Sequence, residues 1–361
     1  MGLFDLMSAV TDYSILENRY GNFMVPAFKI KSSGVDLVST LALTVTELRI
    51  TLSLDSPGMT VFKIADEYDT ESRSFTAAVK TKFKLGTVLT IEIGYLSDTT
   101  EVFKGFVAGL GAEFDDIPSL VVKVMDARQL MMSYGVQRVM YEEKNYSDVF
   151  KKVMTKYSKL CTVSCDPTSD NLESPISQSC NDYDFITKEL IKKGKSEREF
   201  FIFDDKVYFR KPHTNKIPIM TVNYGRELLR FNMMADYINT KVYVLGYDSE
   251  KQKAVSSNTA AKTSEPMSSV ITPAPNQYFI DADADSTSKA SKRAGVIADA
   301  MVDEKCVSEG ELIGIPEIIP GRYLKVGETD SISNRKYYLT EVVHYISGSE
   351  FTTRFESRGW C

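Results

Sequence analysis

The carboxyl-terminal stretch constrains the fold most tightly. Gly314-Ile-Pro-Glu-Ile-Ile-Pro-Gly321 runs through Arg322-Tyr-Leu-Lys-Val326 to Lys336-Tyr-Tyr-Leu-Thr-Glu-Val-Val-His-Tyr345, then to Ser347-Gly348 and Phe351-Thr-Thr-Arg-Phe-Glu356. A turn on Pro320 and Gly321 sets up three extended runs. In the middle run Leu339, Glu341, Val343 and Tyr345 share one side, and Thr340, Val342 and His344 the other. In the last, Phe351 and Phe355 oppose Arg354 and Glu356. A side-chain period of two belongs to antiparallel strands, and Ser347-Gly348 supplies the tight reversal between two of them. No nucleophile or metal cluster interrupts the pattern. The segment is built to pack and to pair.

A chain of 361 residues, 43% apolar and 25% charged, has the size of two or three domains and the balance of a folded soluble protein. Its net charge of -6 argues against direct, sequence-specific nucleic-acid binding, which draws on a basic face. The five cysteines (Cys161, Cys165, Cys180, Cys306, Cys361) are scattered. Three residues separate Cys161 from Cys165, but neither a second pair nor a nearby histidine completes a zinc site, so structural thiols are expected. Met1-Gly-Leu-Phe-Asp-Leu lacks a basic region and a long apolar core. Neither a signal peptide nor a membrane span is expected, and synthesis is placed in the cytoplasm.

Along the chain, 1–22 reads as an amphipathic arm or helix with Leu3, Phe4, Met7 and Val10 available for packing. Residues 23–139 are strand-rich: Leu89, Ile91, Ile93 and Tyr95 alternate with polar neighbours, as do Leu120, Val122 and Val124. With turns at Asp55-Ser-Pro-Gly58 and Asp115-Asp-Ile-Pro118, this predicts a barrel or sandwich. Residues 140–213 read as an α+β insert. One helix falls within 146–160, with Ser147 as cap, and a second at 183–193, with Asn181 or Asp182 as cap and Gly194 as stop. A hairpin, Glu199-Phe-Phe-Ile-Phe203 and Lys206-Val-Tyr-Phe-Arg210, turns at Asp204-Asp205. Residues 214–361 read as a second β unit. It opens with a strand pair near 228–231 and 240–245, makes a polar, loop-like excursion at 250–287, and has a helix at 288–303 faced by Ala290, Ala294, Ile297, Ala298 and Met301. The fold class predicted is α+β, mainly β.

Motifs that imitate chemistry fail on spacing. Asp281-Ala-Asp-Ala-Asp285 opens like a calcium loop, but Ser286 replaces the glycine and Lys292 stands where a bidentate glutamate is needed. Gly194-Lys195-Ser196 ends like a phosphate-binding loop, yet Glu189 replaces the first glycine and a helix precedes it where a strand is required. The two histidines, His213 and His344, read as an edge and a strand position rather than as catalytic bases. Among 49 acidic residues, nothing singles out a pair for sugar hydrolysis. Catalytic, cofactor-binding and metal residues are therefore all assigned as none, and contact residues stay unassigned.

Several segments occur in a telling order. They are Phe103-Lys-Gly-Phe106 to Ala112-Glu-Phe114, the run 120–130, Asp182-Tyr-Asp-Phe-Ile186 with 190–194, Phe200-Phe-Ile-Phe203, and Val207-Tyr-Phe-Arg-Lys-Pro212. Then follow Glu227-Leu-Leu-Arg-Phe231, Thr240-Lys-Val-Tyr-Val-Leu-Gly-Tyr247, the helix 290–302, Gly314-Ile-Pro, Pro320-Gly321 and 338–355. In this order the chain resembles the baseplate hub family of contractile tails. That family takes in the hub of contractile phages, the phage late control protein D and the N-terminal part of the type VI secretion spike protein VgrG.

The resemblance implies two small, tail-tube-like β-barrels per chain with an inserted α+β domain. It implies a homotrimer whose six barrels form a pseudo-sixfold ring between a sixfold tail tube and a threefold spike, beside other baseplate proteins. The chain would serve a phage, a tail-like bacteriocin or a related injection machine, made in the bacterial cytoplasm and built into the tail particle. Five residues follow Glu356, so the spike is expected to be a separate polypeptide. Two other readings compete: a cell-wall hydrolase at a tail tip, and a carbohydrate-binding tip protein with a grooved surface cluster of aromatics.

Overall fold

The alternating runs become strands because each places one apolar row where it can be covered and one polar row where it need not be. The structure, a computed structural model, describes residues 6–169, 172, 174–193, 198–263, 265, 268, 270, 272–282 and 284–360. Leu3, Phe4, Gly194, Lys195, Ser196, Asp283 and Cys361 lie outside the described residues. After helix α1 (Tyr13–Arg19), the first half contains β1 (Pro26–Ser32), β2 (Val35–Asp36), β3 (Thr44–Ser53) and β4 (Met59–Ala65). It continues with a short hairpin, β5 (Tyr68–Asp69) and β6 (Ser74–Phe75), and then β7 (Val88–Tyr95), β8 (Asp98–Glu113) and β9 (Ser119–Met125). Met7 packs in the core as expected, whereas Val10 is exposed and Leu6, Leu16 and Tyr20 do the burying.

The run 120–130 is not one strand. Asp126 ends β9 and caps α4 (Ala127–Ser133) by accepting from the Arg128 amide at 2.8 Å. A side chain that satisfies a free helix N–H favours starting a helix there over continuing the strand.

The middle of the chain builds its own apolar cluster. β10 (Val139–Tyr141), α5 (Tyr146–Met154), β11 (Thr162–Cys165) and β12 (Ile176–Gln178) come first. A helical turn, α6 (Asp182–Asp184), then widens into a π-helix over Phe185–Lys193. The hairpin β13 (Glu199–Phe203) and β14 (Lys206–Arg210) closes the segment as read. Val149, Phe150, Val153, Phe185, Leu190 and Phe209 lie at its centre, with the Phe150 and Phe209 rings stacked at 4.4 Å. Asn145, not Ser147, caps α5, because its Oδ1 reaches the Asp148 amide at 2.9 Å while the Ser147 hydroxyl binds that same oxygen.

The remaining strands are β15 (Pro218–Asn223), β16 (Leu228–Ala235), β17 (Asn239–Asp248), β18 (Lys253–Lys262) and β19 (Gln277–Ile280). After α7 (Thr287–Asp303) come β20 (Cys306–Ile313), β21 (Tyr323–Gly327), β22 (Lys336–Ser347) and β23 (Glu350–Trp360). The three terminal runs are β21, β22 and β23, and the hairpin joining the last two turns at Gly348 with φ 57°.

β16 and β17 do not pair with each other. β16 joins β20, and β17 joins β18 and β19. Where the polarity of 250–287 suggested a loop, its described residues include two strands, β18 and β19. In β18, Val255, Ser257, Thr259 and Ala261 alternate inward against α7, whose buried Ala290, Ala294 and Ala298 allow close approach. Alanine, serine and threonine mark no strong apolar row, so the period of two is faint in this sequence.

The chain is mainly β, and among the described residues its principal sheet has 13 strands. The order is β16-β20-β23-β22-β3-β4-β9-β8-β7-β1-β2, with β15 and β21 added at β22. The ladder from 48–53 of β3 to 341–346 of β22 fuses the two halves, and one apolar core lies beneath both. The resemblance implied two small β-barrels with an inserted α+β domain; among the described residues the ladders of the two β halves run on into one continuous sheet. Across that junction Val342 stands opposite Leu52 and Ile346 opposite Leu48, with Ile50 between, and splitting there would expose all five.

Candidate functional site: seams and sheet edges

Buried polar side chains in this molecule join distant parts of the chain. Arg19, in the last turn of α1, grips Asp98 at 2.8 Å through both Nε and Nη2 and reaches Glu317 at 3.0 Å. The Tyr20 hydroxyl donates to the same Glu317 oxygen at 2.7 Å. Burial raises the Glu317 pKa against the pull of Tyr20 and Arg19, while the Arg19 hydrogen bond holds Asp98 below its usual value. One cluster thus ties α1, β8 and the 314–321 loop together.

A second seam fixes the β13–β14 hairpin to the terminal strands. Arg210 donates to Glu199 at 2.7 Å and to the Gly321 carbonyl at 2.6 Å, and the Tyr338 hydroxyl donates to Glu199 at 2.7 Å. Gly321 has φ 77°, and a Cβ there would press on Arg210. Beside this cluster His213 lies 2.8 Å from the Tyr323 hydroxyl and 3.5 Å from Asp303 of α7. At a third contact Asp204 bridges to Phe103 of β8; burial first, then Glu101, pushes its carboxyl up to about 9. Arg322, fully buried, donates to the Leu6 and Ala9 carbonyls and clamps the N-terminal segment.

The residues that imitate chemistry fall into structural places. His344 is buried in β22 with Nδ1 3.0 Å from the Thr353 hydroxyl, and burial pulls its pKa down to about 3. Asp281 faces Arg293, and Asp285 pairs with Lys289 in the first turn of α7. Cys161, Cys165, Cys180 and Cys306 are free thiols, and burial pushes Cys161 up to about 12. Among the described residues no three His, Cys, Asp or Glu side chains converge on a metal position. Among them, no helix is long and apolar enough to cross a membrane. Arg19, Asp98 and Glu317 went unnoticed in the sequence. The available signal was a lone carboxylate in Gly314-Ile-Pro-Glu-Ile-Ile-Pro, since an acidic side chain in an apolar run needs a partner.

The outward face of the principal sheet carries charge in rows. Glu309, Glu356 and Glu341 stand directly opposite one another on β20, β23 and β22, and Arg230, Glu311 and Arg354 cross β16, β20 and β23 one step along. Burial, then the neighbouring Glu356, raises the Glu341 pKa.

Comparison with known proteins follows the same architecture. A family model described as the Alg8 N-terminal domain matches residues 23–348. The chain belongs to that family. No curated protein matches it by sequence. Among solved structures, this Alg8 N-terminal domain protein is similar to the 43 kDa tail protein of prophage MuSo2 from Shewanella oneidensis. The TM-score is 0.68 at 11% identity, covering 91% of this chain and 97% of that one. It is similar to the tail protein from Neisseria meningitidis MC58, with TM-score 0.67, 11% identity, and 93% and 97% of the two chains covered. It is also similar to the Escherichia coli c3393 protein, described as a component of the type VI secretion system with structural similarity to the T4 tail proteins gp27 and gp5. There the TM-score is 0.55 at 11% identity over 91% and 76% of the chains. The baseplate hub resemblance read from the sequence holds at the level of the fold.

Proposed function

We propose that this Alg8 N-terminal domain protein is the structural hub at the centre of a contractile tail or injection-machine baseplate. Three copies would form a pseudo-sixfold ring, joining a sixfold tube protein to a separate threefold spike among other baseplate proteins. The chain would divide at 23–139, 140–213 and 214–361, and be made in the bacterial cytoplasm before assembly into the particle.

The observation that carries this reading is the continuous sheet, in which β22 joins β3 and sets two β halves of one chain side by side. Two such halves per chain, taken three times, supply six similar positions around a threefold axis. The buried charge clusters support a scaffold role, because each holds separate segments in fixed relation. The test is electron microscopy and native mass measurement of the full chain, alone and with tube and spike proteins. A ring of three chains that caps the tube is the expected result. A monomer that clears peptidoglycan in a zymogram would replace this reading with an enzyme.

A further inference from the structure

The small sheet β18-β17-β19 has two open edges, and the described residues provide no strand to cover either. Proteins usually blunt free edges with short strands, charges, prolines or bulges. The ends of the principal sheet use these devices: β2 pairs only with Lys31 and Ser32 of β1, whose remaining edge opens with Pro26 and carries Lys29, and β16 carries Arg230, 82% exposed, and a register shift. The small sheet does not. Between Lys253 and Lys262, β18 is Ala-Val-Ser-Ser-Asn-Thr-Ala-Ala, uncharged and without proline, and it pairs with β17 through ten residues with no register shift. β19 is Gln-Tyr-Phe-Ile, with Tyr278 61% and Ile280 89% exposed.

The faces of this sheet are unequal as well. Val242, Val244 and Ala261 pack with α7. On the opposite face Tyr243 stacks on Tyr278 at 5.0 Å, Leu245 stands opposite Ile280, and Tyr247 is half exposed. Two open edges and one uncovered apolar face therefore belong to a single element.

We infer that this element joins copies of the chain, with β19 of one copy adding to the free edge of β18 in the next; this rests on the trimeric reading above. The two edges complement each other within the same sheet, which makes a second copy the fitting partner. β17 is parallel to β19 and antiparallel to β18, so rotation about an axis along the strands brings β19 antiparallel to the neighbour's β18. Head-to-tail contacts of this kind close into a ring when the rotation between copies closes, as a threefold one does, and otherwise run on as a filament. Bulky Tyr278 and Ile280 meet the small outward row of Ala254, Ser256 and Asn258.

Mass photometry of the full chain, wild type, Ile280→Lys and Ile332→Lys, tests the assignment, with hydrogen exchange of residues 254–261 in the wild type across its assembly range. Expected are a trimeric wild type, a trimeric Ile332→Lys, an Ile280→Lys that needs at least about tenfold more protein to assemble, and slowing of 254–261 exchange on assembly. A trimeric wild type with unchanged 254–261 exchange, or an Ile280→Lys that assembles normally, overturns the edge contact and leaves the trimer standing. A wild type that is monomeric throughout overturns both.

Discussion

At the scale of single residues, the buried groups set how the fold responds to acid. His344 is fully buried and its pKa falls from 6.5 to about 3, with burial the cause. The unfolded chain therefore takes up a proton that the folded chain refuses. Stability contributed by keeping this ring neutral is present above about pH 6.5 and is lost as pH falls toward 3, by up to ~1.4 kcal/mol per pH unit. His344→Asn keeps a short polar group near the Thr353 hydroxyl and does not titrate. It should be less stable at neutral pH, because atoms are removed from the core, yet lose less between about pH 6 and 4. Urea midpoints at both pH values check this, and equal losses in variant and wild type would refute it. Alternation alone revealed His344 as a strand residue, but not which side of β22 is covered, since Val342 and Val343 are equally apolar.

At the scale of elements, the sequence was legible wherever large apolar residues marked the period and obscure where alanine and serine did. α7 was plain because its flanks are charged and its inner face repeats at helical spacing. β18 was hidden because it packs against that alanine face with small residues of its own. Ala294→Leu would force side-chain atoms into this tight layer and cost about 1–3 kcal/mol, whereas Ala300→Leu on the exposed side of α7 should be near neutral. Exchange protection across β17 and β18 would report the loss, and equal behaviour of the two variants would mean the layer is loose.

Strand existence was readable but partners were not, because pairing is decided by the whole sheet; β16 and β17 follow one another yet belong to different sheets. The glutamate row was equally invisible, since its members are 309, 341 and 356 and meet only through register. Like charges directly opposite destabilise a sheet, so Glu356→Gln should raise stability by about 0.5 kcal/mol at neutral pH. The gain should shrink in high salt as screening weakens the repulsion. Thermal unfolding at low and high salt reads both effects.

At the scale of the whole molecule, a continuous sheet over a shared core makes the two halves one mechanical body, and the Arg19–Asp98–Glu317 cluster is its cross-brace. The proposed hub role would call on such a brace, because a hinge between the halves would leave their relative placement loose. Arg19→Met would leave Glu317, 1% exposed, without its cation. Breaking a buried pair costs roughly 3–5 kcal/mol, and the partial exposure of Arg19 brings the expectation down to about 2 kcal/mol. Adding Glu317→Gln removes the stranded charge while leaving an acceptor for the Tyr20 hydroxyl, so the double variant should recover part of the loss. If the cluster couples the halves, hydrogen exchange in Arg19→Met quickens together in β8 and in the 314–321 loop. Quickening on one side alone would show that the sheet junction at β3 and β22 carries the coupling without help from the cluster.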